Sequence, residues 1–280
     1  VLLAAVGSLA FGAQSPLASA PLAAGSPPAA GSTPAAGSPP SAAPSPAPSP
    51  APSSPPTARA QAPFDPTGYW VSVVTQNWRF RMVVPGRGEY VDIPINLKAK
   101  QYADAWSAAA DEAAGKQCEA YGAAALMRIP ERLQIGWQDD STLKIDTDAG
   151  MQTRLLRFKP AAEDASQAPS WQGYSAAQWL LHPRPAAAAQ AQAPSFGSIE
   201  VVTDRMLPGL LRKNGIPYGS GAKMTEYWEV DSDADGVQWL IITTELEDPD
   251  YLRGTYIFNS IFRKEADGSG WDPAPCTLRE

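Results

Sequence analysis

The chain has 280 residues, a formal net charge of −7, two cysteines and one histidine. It contains no basic block, so it lacks the electrostatic footprint of a nucleic-acid binder. Two Cys and one His also fall short of the four nitrogen or sulfur ligands of a structural zinc site.

Composition changes abruptly near residue 64. All nine Trp, both Cys and the one His lie beyond it. Val1 to Gly12 (VLLAAVGSLAFG) is an apolar run too short to span a bilayer, and Ala18-Ser19-Ala20 gives an A-x-A cleavage pattern. We read residues 1–20 as a signal peptide truncated at its N-terminus, lacking Met and a basic n-region, with an uncleaved anchor as the alternative. No Cys-terminated lipobox is present. Residues 21–62 are almost entirely Ala, Pro, Ser and Gly, with Arg59 the one charge. Such a stretch cannot bury a core and reads as a disordered linker sampling polyproline II and coil. Export to the periplasm or the extracellular space is the localisation these features imply. No membrane span is expected in the mature domain.

Residues 63–280 are enough for one domain with a sizeable core. In an exported chain the two cysteines invite a Cys118–Cys276 disulfide, the alternative being two unpaired thiols. Gly68 to Met82 (GYWVSVVTQNWRFRM) reads as a strand, rich in β-branched and aromatic residues. Within it Trp78, Phe80 and Met82 alternate with Arg79 and Arg81. After a Pro85–Gly88 turn, Glu89 to Ile93 is expected to return as a short strand. Asn96 is a candidate N-cap for a helix in which Tyr102, Trp106, Ala109/Ala110 and Ala113 share a face and which Gly115 ends. Cys118 to Met127 is a second short helical piece. Arg132 to Phe158 reads as a three-strand meander with turns at Asp139-Asp140-Ser141 and Asp148-Ala149-Gly150. Residues 159–197, rich in Ala, Pro and Gln, read as an insertion. Ser198 to Asp204 is a strand, and Asp204 to Ser220 is expected to be irregular. Met224–Val230 and Val237–Leu246 form a hairpin, and Tyr251 to Arg263 supplies the last strand. The sum is eight to ten strands and one or two early helices, a mainly β chain whose antiparallel sheet curves or closes.

Gly68-Tyr69-Trp70 opens the first strand as a G-x-W. With the early helical stretch, it makes the domain resemble the calycins, the lipocalin and fatty-acid-binding-protein superfamily. The resemblance implies a lipocalin-like barrel in which Trp70 packs under an Arg near the final strand; Arg263 is the candidate. The lipocalin T-D-Y motif and the Arg/Tyr pair that holds a fatty-acid carboxylate are not matched. Thr225-Glu226-Tyr227 through Glu247-Asp248-Pro249 is also similar to segments of uncharacterised secreted bacterial proteins, which carry no activity over.

Several residue sets could carry chemistry. Asp231, Asp233 and Asp235 with Gly236 match the first half of a calcium loop, but Ile242 stands where its bidentate Glu belongs, so an acidic hairpin turn is the simpler reading. His182 would have to serve any Ser-His-Asp mechanism, yet no G-x-S-x-G elbow occurs. Glu226, Glu245 and Asp248 could form an acid/base set with an Arg, or pair and face water. Arg79 and Arg81, beside Trp78, Trp137 and Trp228, could hold an anionic head group and an apolar body; surface charges and core aromatics are the plainer assignments. Without a Gly-rich phosphate loop, haem motif or dinucleotide fingerprint, no cofactor is expected.

These features favour an exported protein that binds a small apolar or amphiphilic molecule in a barrel cavity. The alternatives are a lyase- or isomerase-type enzyme using a Glu/Asp/Arg pocket, and an envelope interaction module presenting Trp171 and Tyr174.

Overall fold

The computed structural model describes residues 55–159, 164, 166–181 and 196–278. Nine strands close into a barrel: β1 (Gly68–Ser72), β2 (Arg132–Asp139), β3 (Thr142–Thr147), β4 (Thr153–Arg157), β5 (Tyr174–Leu181), β6 (Gly197–Asp204), β9 (Lys223–Ser232), β10 (Gln238–Glu247) and β11 (Tyr256–Glu265). Between β6 and β9 the chain makes a separate two-stranded ribbon, β7 (Gly209–Arg212) with β8 (Ile216–Tyr218). Around the barrel the order is β1-β11-β10-β9-β6-β5-β4-β3-β2, and β1 closes it by pairing with both β11 and β2. All pairs are antiparallel except β4–β5. The chain is therefore mainly β with a closed barrel, as the strand pattern implied.

The period-two pattern does the closing. Leu133 and Ile135 on β2, Leu143 and Ile145 on β3, and Leu240 and Ile242 on β10 all point inward and are buried. Each fully buried aliphatic side chain contributes about 1.5–3 kcal/mol. Trp70, Trp228 and Phe262 fill the middle of this barrel core.

The 132–158 meander and the 223–247 hairpin form as expected. Other expectations need correction. The first strand ends at Ser72. Asn77 takes a left-handed conformation (φ 53°), and Trp78–Met82 is a short helix, α1, whose Trp78 and Met82 are exposed. Glu89 to Ile93 is not a strand, because Asp92 adopts φ 80° and turns the chain. Asn96 does cap a helix, its Oδ1 accepting from the Ala99 amide at 3.0 Å. That helix, α2 (Leu97–Ala105), breaks at an extended Trp106, and Ser107 caps a separate α3 (Ala108–Ala113). Ala99 and Ala103 are buried on α2, whereas Tyr102 is exposed. A 3-10 turn (Gln117–Tyr121) and α4 (Ala123–Leu126) follow.

The segment 159–197 is more than an insertion. Its residues Tyr174–Leu181 form β5, hydrogen-bonded along β6 and touching β4 at Leu156↔Ser175. Ala176, Ala177 and Gln178 are poor β-formers, and tertiary pairing overrides that propensity. The stretch expected to be irregular after Asp204 holds the β7–β8 ribbon.

Both ends of the barrel are covered. At one end the chain leaves after β1, β6 and β10 and re-enters at β2, β9 and β11. There the helices and the ribbon build a second core in which Tyr90, Ala103, Leu211, Tyr218, Leu246 and Tyr256 meet. At the other end residues 55–64 lie against the mouth. The Arg59 amide donates to Asp140 O (3.1 Å), Trp179 Nε1 donates to Ala58 O (2.8 Å), and Phe64 meets Trp179 edge-on at 5.5 Å. Phe158 stacks on Trp179 and touches Trp137.

Trp70 is fully buried, its Nε1 donating to Pro66 O at 2.9 Å. The cation over its ring is Lys264, with Nζ 4.6 Å from the centroid. Arg263 points outward and is exposed, one residue out of phase with the inward Phe262, so it is not the partner the calycin resemblance suggested.

A candidate anion-binding cleft in the barrel cap

Cys118 and Cys276 form a disulfide, with Cα atoms 5.2 Å apart. It pins the C-terminal segment to the 3-10 turn, and Tyr121 Oη strengthens the seam by donating to Thr277 O at 3.1 Å. Beside this seam lies a cleft of about 340 Å³. One wall is the α1 segment and its exit, Phe80 to Pro85; the others are Tyr121, Ala125 and Ile129, the β3–β4 turn at Ala149-Gly150, the end of β7, and Ala274-Pro275. Gly150 is required here: its φ is +75°, and a Cβ would stand 2.3 Å from Tyr121 Cδ1.

Four cationic side chains line the cleft, Arg81, Arg128, Arg212 and Lys213, and among the described residues no carboxylate does. Asp92, behind the wall, holds two of them: Arg212 Nη1 donates to its Oδ1 at 2.7 Å and Arg128 Nη2 to its Oδ2 at 3.1 Å. Arg212 is further fixed by Glu89 O and Asn214 Oδ1. The unusual φ of Asp92 is thus the conformation of a residue that bridges two buried guanidiniums. Arg81 Nε donates to Arg128 O at 2.8 Å, while Arg81 Nη2 and Arg128 Nη1 are buried without a hydrogen-bond partner, the Arg128 guanidinium lying over the Tyr256 and Phe258 rings. Lys213 Nζ lies 5.0 Å from the Tyr121 ring centroid. Burial pushes the Arg81 guanidinium down to about 10, with Arg128 adding to the fall and Glu131 opposing it. Burial likewise lowers Arg128 and Arg212, with Asp92 opposing. In a chain of net charge −7 this wall is a local positive field. Chemically it can receive an anion on the guanidinium side and an apolar body against Phe80, Val84 and Ile129.

The residues singled out from the sequence are scattered. Arg81 reaches the cleft, whereas Arg79 stays at the surface in an ion pair with Glu89 (2.6 Å) and Trp78 is exposed. Trp228 is buried in the barrel core and Trp137 packs at its edge. The carboxylates Glu226, Glu245 and Asp248 do not come together. Glu226 is fully buried inside the barrel, Glu245 sits one position out of phase with the inward Thr244, and Asp248 caps the Gly219 amide at 2.9 Å. Glu226 instead meets Arg154, which also reaches Ser175 and Thr203. In the acidic hairpin turn, Asp233 accepts from the Asp235 and Val237 amides and from Trp239 Nε1, while Asp231 accepts from the Ser232 amide. Among the described residues, no three His, Cys, Asp or Glu side chains converge as a metal site. Tyr174 is buried, not presented at the surface, and Trp171 is half-buried with its carbonyl accepting from the Ala123 amide. His182 lies outside the described residues.

Sequence reasoning missed Arg128, Arg212 and Lys213. Arg128 follows a run of alanines and the other two sit in a stretch expected to be irregular; only the fold brings them to Arg81. Among the described residues, no helix is long and apolar enough to cross a membrane. Comparison of the chain with protein-family models, curated proteins and solved structures finds no match.

Proposed function

We propose that this is an exported binding protein that takes a small amphiphile with an anionic head group, and that the ligand sits in the cap cleft. The observation that carries the reading is the cleft lining, four cationic side chains on otherwise largely apolar walls, with no carboxylate there among the described residues. A cleft of about 340 Å³ is within the range of small-molecule sites. The closed barrel with early helices at one end supports a calycin-like architecture, with the ligand moved from the barrel interior, which Trp70, Trp228 and Phe262 occupy, to the cap. The disulfide fits an oxidising compartment.

The test is residue-resolved NMR during titration with decanoate. The expected result is saturable shifts at Arg81, Ile129, Gly150 and Lys213, with Ile145 and Ile242 of the barrel core unmoved. Shifts confined to the barrel core, or no saturable shift, would refute the cap site.

A further inference from the structure

The barrel core and the cap core are separated by a polar belt. Going round the inner wall, Arg154 on β4 reaches Glu226 on β9, and Glu226 pairs in register with Thr244 on β10. Ser260 on β11 lies one inward step from both Phe258, the register partner of Thr244, and Phe262, the partner of Ser72 on β1. The Ser72 amide donates to Glu131 O at 2.9 Å, and the Glu131 side chain shares the inward phase of Leu133 and Ile135. Glu131 in turn lies within electrostatic range of Arg154, which closes the circuit.

Three of these six side chains are short hydroxyls, at a level where a nine-stranded barrel needs bulk to fill its bore. Apart from the Arg154–Glu226 pair, their polar atoms are not satisfied by one another. Ser72 Oγ, both Glu131 oxygens, Arg154 Nε, Thr244 Oγ1 and Ser260 Oγ are all buried without a protein partner, and so is Trp228 Nε1 just below. Seven of the thirteen such atoms among the described residues are gathered here. Buried polar groups in folded proteins find partners, and an unpaired one costs about 1–3 kcal/mol. The set mixes obligate donors, Arg154 and Trp228, with acceptors and hydroxyls that can do both. That is the pattern water satisfies, and it fits neither an anion nor a cation alone. A surface cleft of about 320 Å³ has Ser72 and Glu131 in its lining and so borders the belt.

We infer that the belt is an internal hydration site, holding a cluster of ordered waters that link Glu131, Arg154, Thr244 and Ser260. Such waters typically make about three hydrogen bonds each to otherwise unsatisfied groups. The inference is independent of the cap cleft and of any ligand it takes.

A crystal structure of the full chain at atomic resolution tests it. The expected result is ordered water within hydrogen-bond distance of Glu131 and Arg154 Nε, bridging to Thr244 or Ser260. A dry belt, with these side chains turned to pair one another, would overturn it; so would density for a larger molecule. The Thr244→Val/Ser260→Ala variant gives a second reading in solution. Loss of water partners should lower its denaturation midpoint and leave decanoate binding unchanged. An equal or higher midpoint would mean the hydroxyls had no water to hold, and would contradict the inference.

Discussion

Arg154 and Glu226 face each other across the barrel interior in a two-point ion pair, Nη2 to Oε2 at 2.7 Å and Nη1 to Oε1 at 3.2 Å, with both side chains out of reach of solvent. Removing one partner leaves the other charge buried, which costs about 3–5 kcal/mol. Glu226→Ala should therefore destabilise the protein by about that amount in urea titration. The double variant Arg154→Met/Glu226→Leu should lose less than Glu226→Ala alone, because an apolar pair of similar volume leaves no uncompensated charge.

Glu131 gives stability a pH dependence. Burial, reinforced by Asp148, holds its carboxyl well above the usual carboxylate range, with Arg154 and Arg81 opposing. The folded state thus keeps a proton that the unfolded chain loses near pH 4.3, about the ordinary glutamate value. Between those two pKa values the unfolded state binds fewer protons, so this group's contribution to stability falls as pH rises. Glu131→Gln should flatten the fall above about pH 4.3 and gain most over the parent protein at the alkaline end. The check is the urea midpoint measured across pH for both proteins.

The Cys118–Cys276 bond closes a loop with a sequence separation of 158. The chain-entropy account gives about 5 kcal/mol for so long a loop, an upper value. It also holds Ala274 and Pro275 against the cleft. Cys118→Ser/Cys276→Ser should lower the thermal midpoint and weaken decanoate binding together. A fall in stability with unchanged affinity would show that the C-terminal segment forms no part of the site.

The sequence disclosed the barrel through its clean alternations. Leu133/Ile135 against Leu143/Ile145, and the hairpin around Asp233, have turn residues and inward aliphatics in agreement. It misled where a local pattern had two readings. Trp78, Phe80 and Met82 alternate like a strand, but β2 ends opposite Val71, the chain leaves β11 just past Ser72, and a left-handed Asn77 starts a helix instead. It was silent where long-range contact decides. Strand β5 owes its form to β6, and residues 55–62, composed like a linker, are held by Trp179 and Asp140. Of the cleft only Arg81 was legible. Arg128, Arg212 and Asp92 form one ion network from three distant stretches, and no spacing in the chain announces it.

Isothermal titration of decanoate, beside uncharged decanol, into the protein and its Lys213→Met variant separates an anion-reading cleft from a merely apolar one. Among the described residues, Arg128 and Arg212 of the cleft are held by Asp92, while Lys213 and Arg81 make no ion pair; Lys213 Nζ rests over the Tyr121 ring, and methionine keeps the length of the side chain. We expect one-to-one binding of decanoate, about tenfold or more weaker binding of decanol, and a loss of about tenfold to a hundredfold for decanoate alone in the variant, in line with about 1.5–3 kcal/mol for one charge-assisted contact. Equal affinity for the acid and the alcohol, or decanoate binding that Lys213→Met leaves unchanged, would contradict an anion-reading cleft.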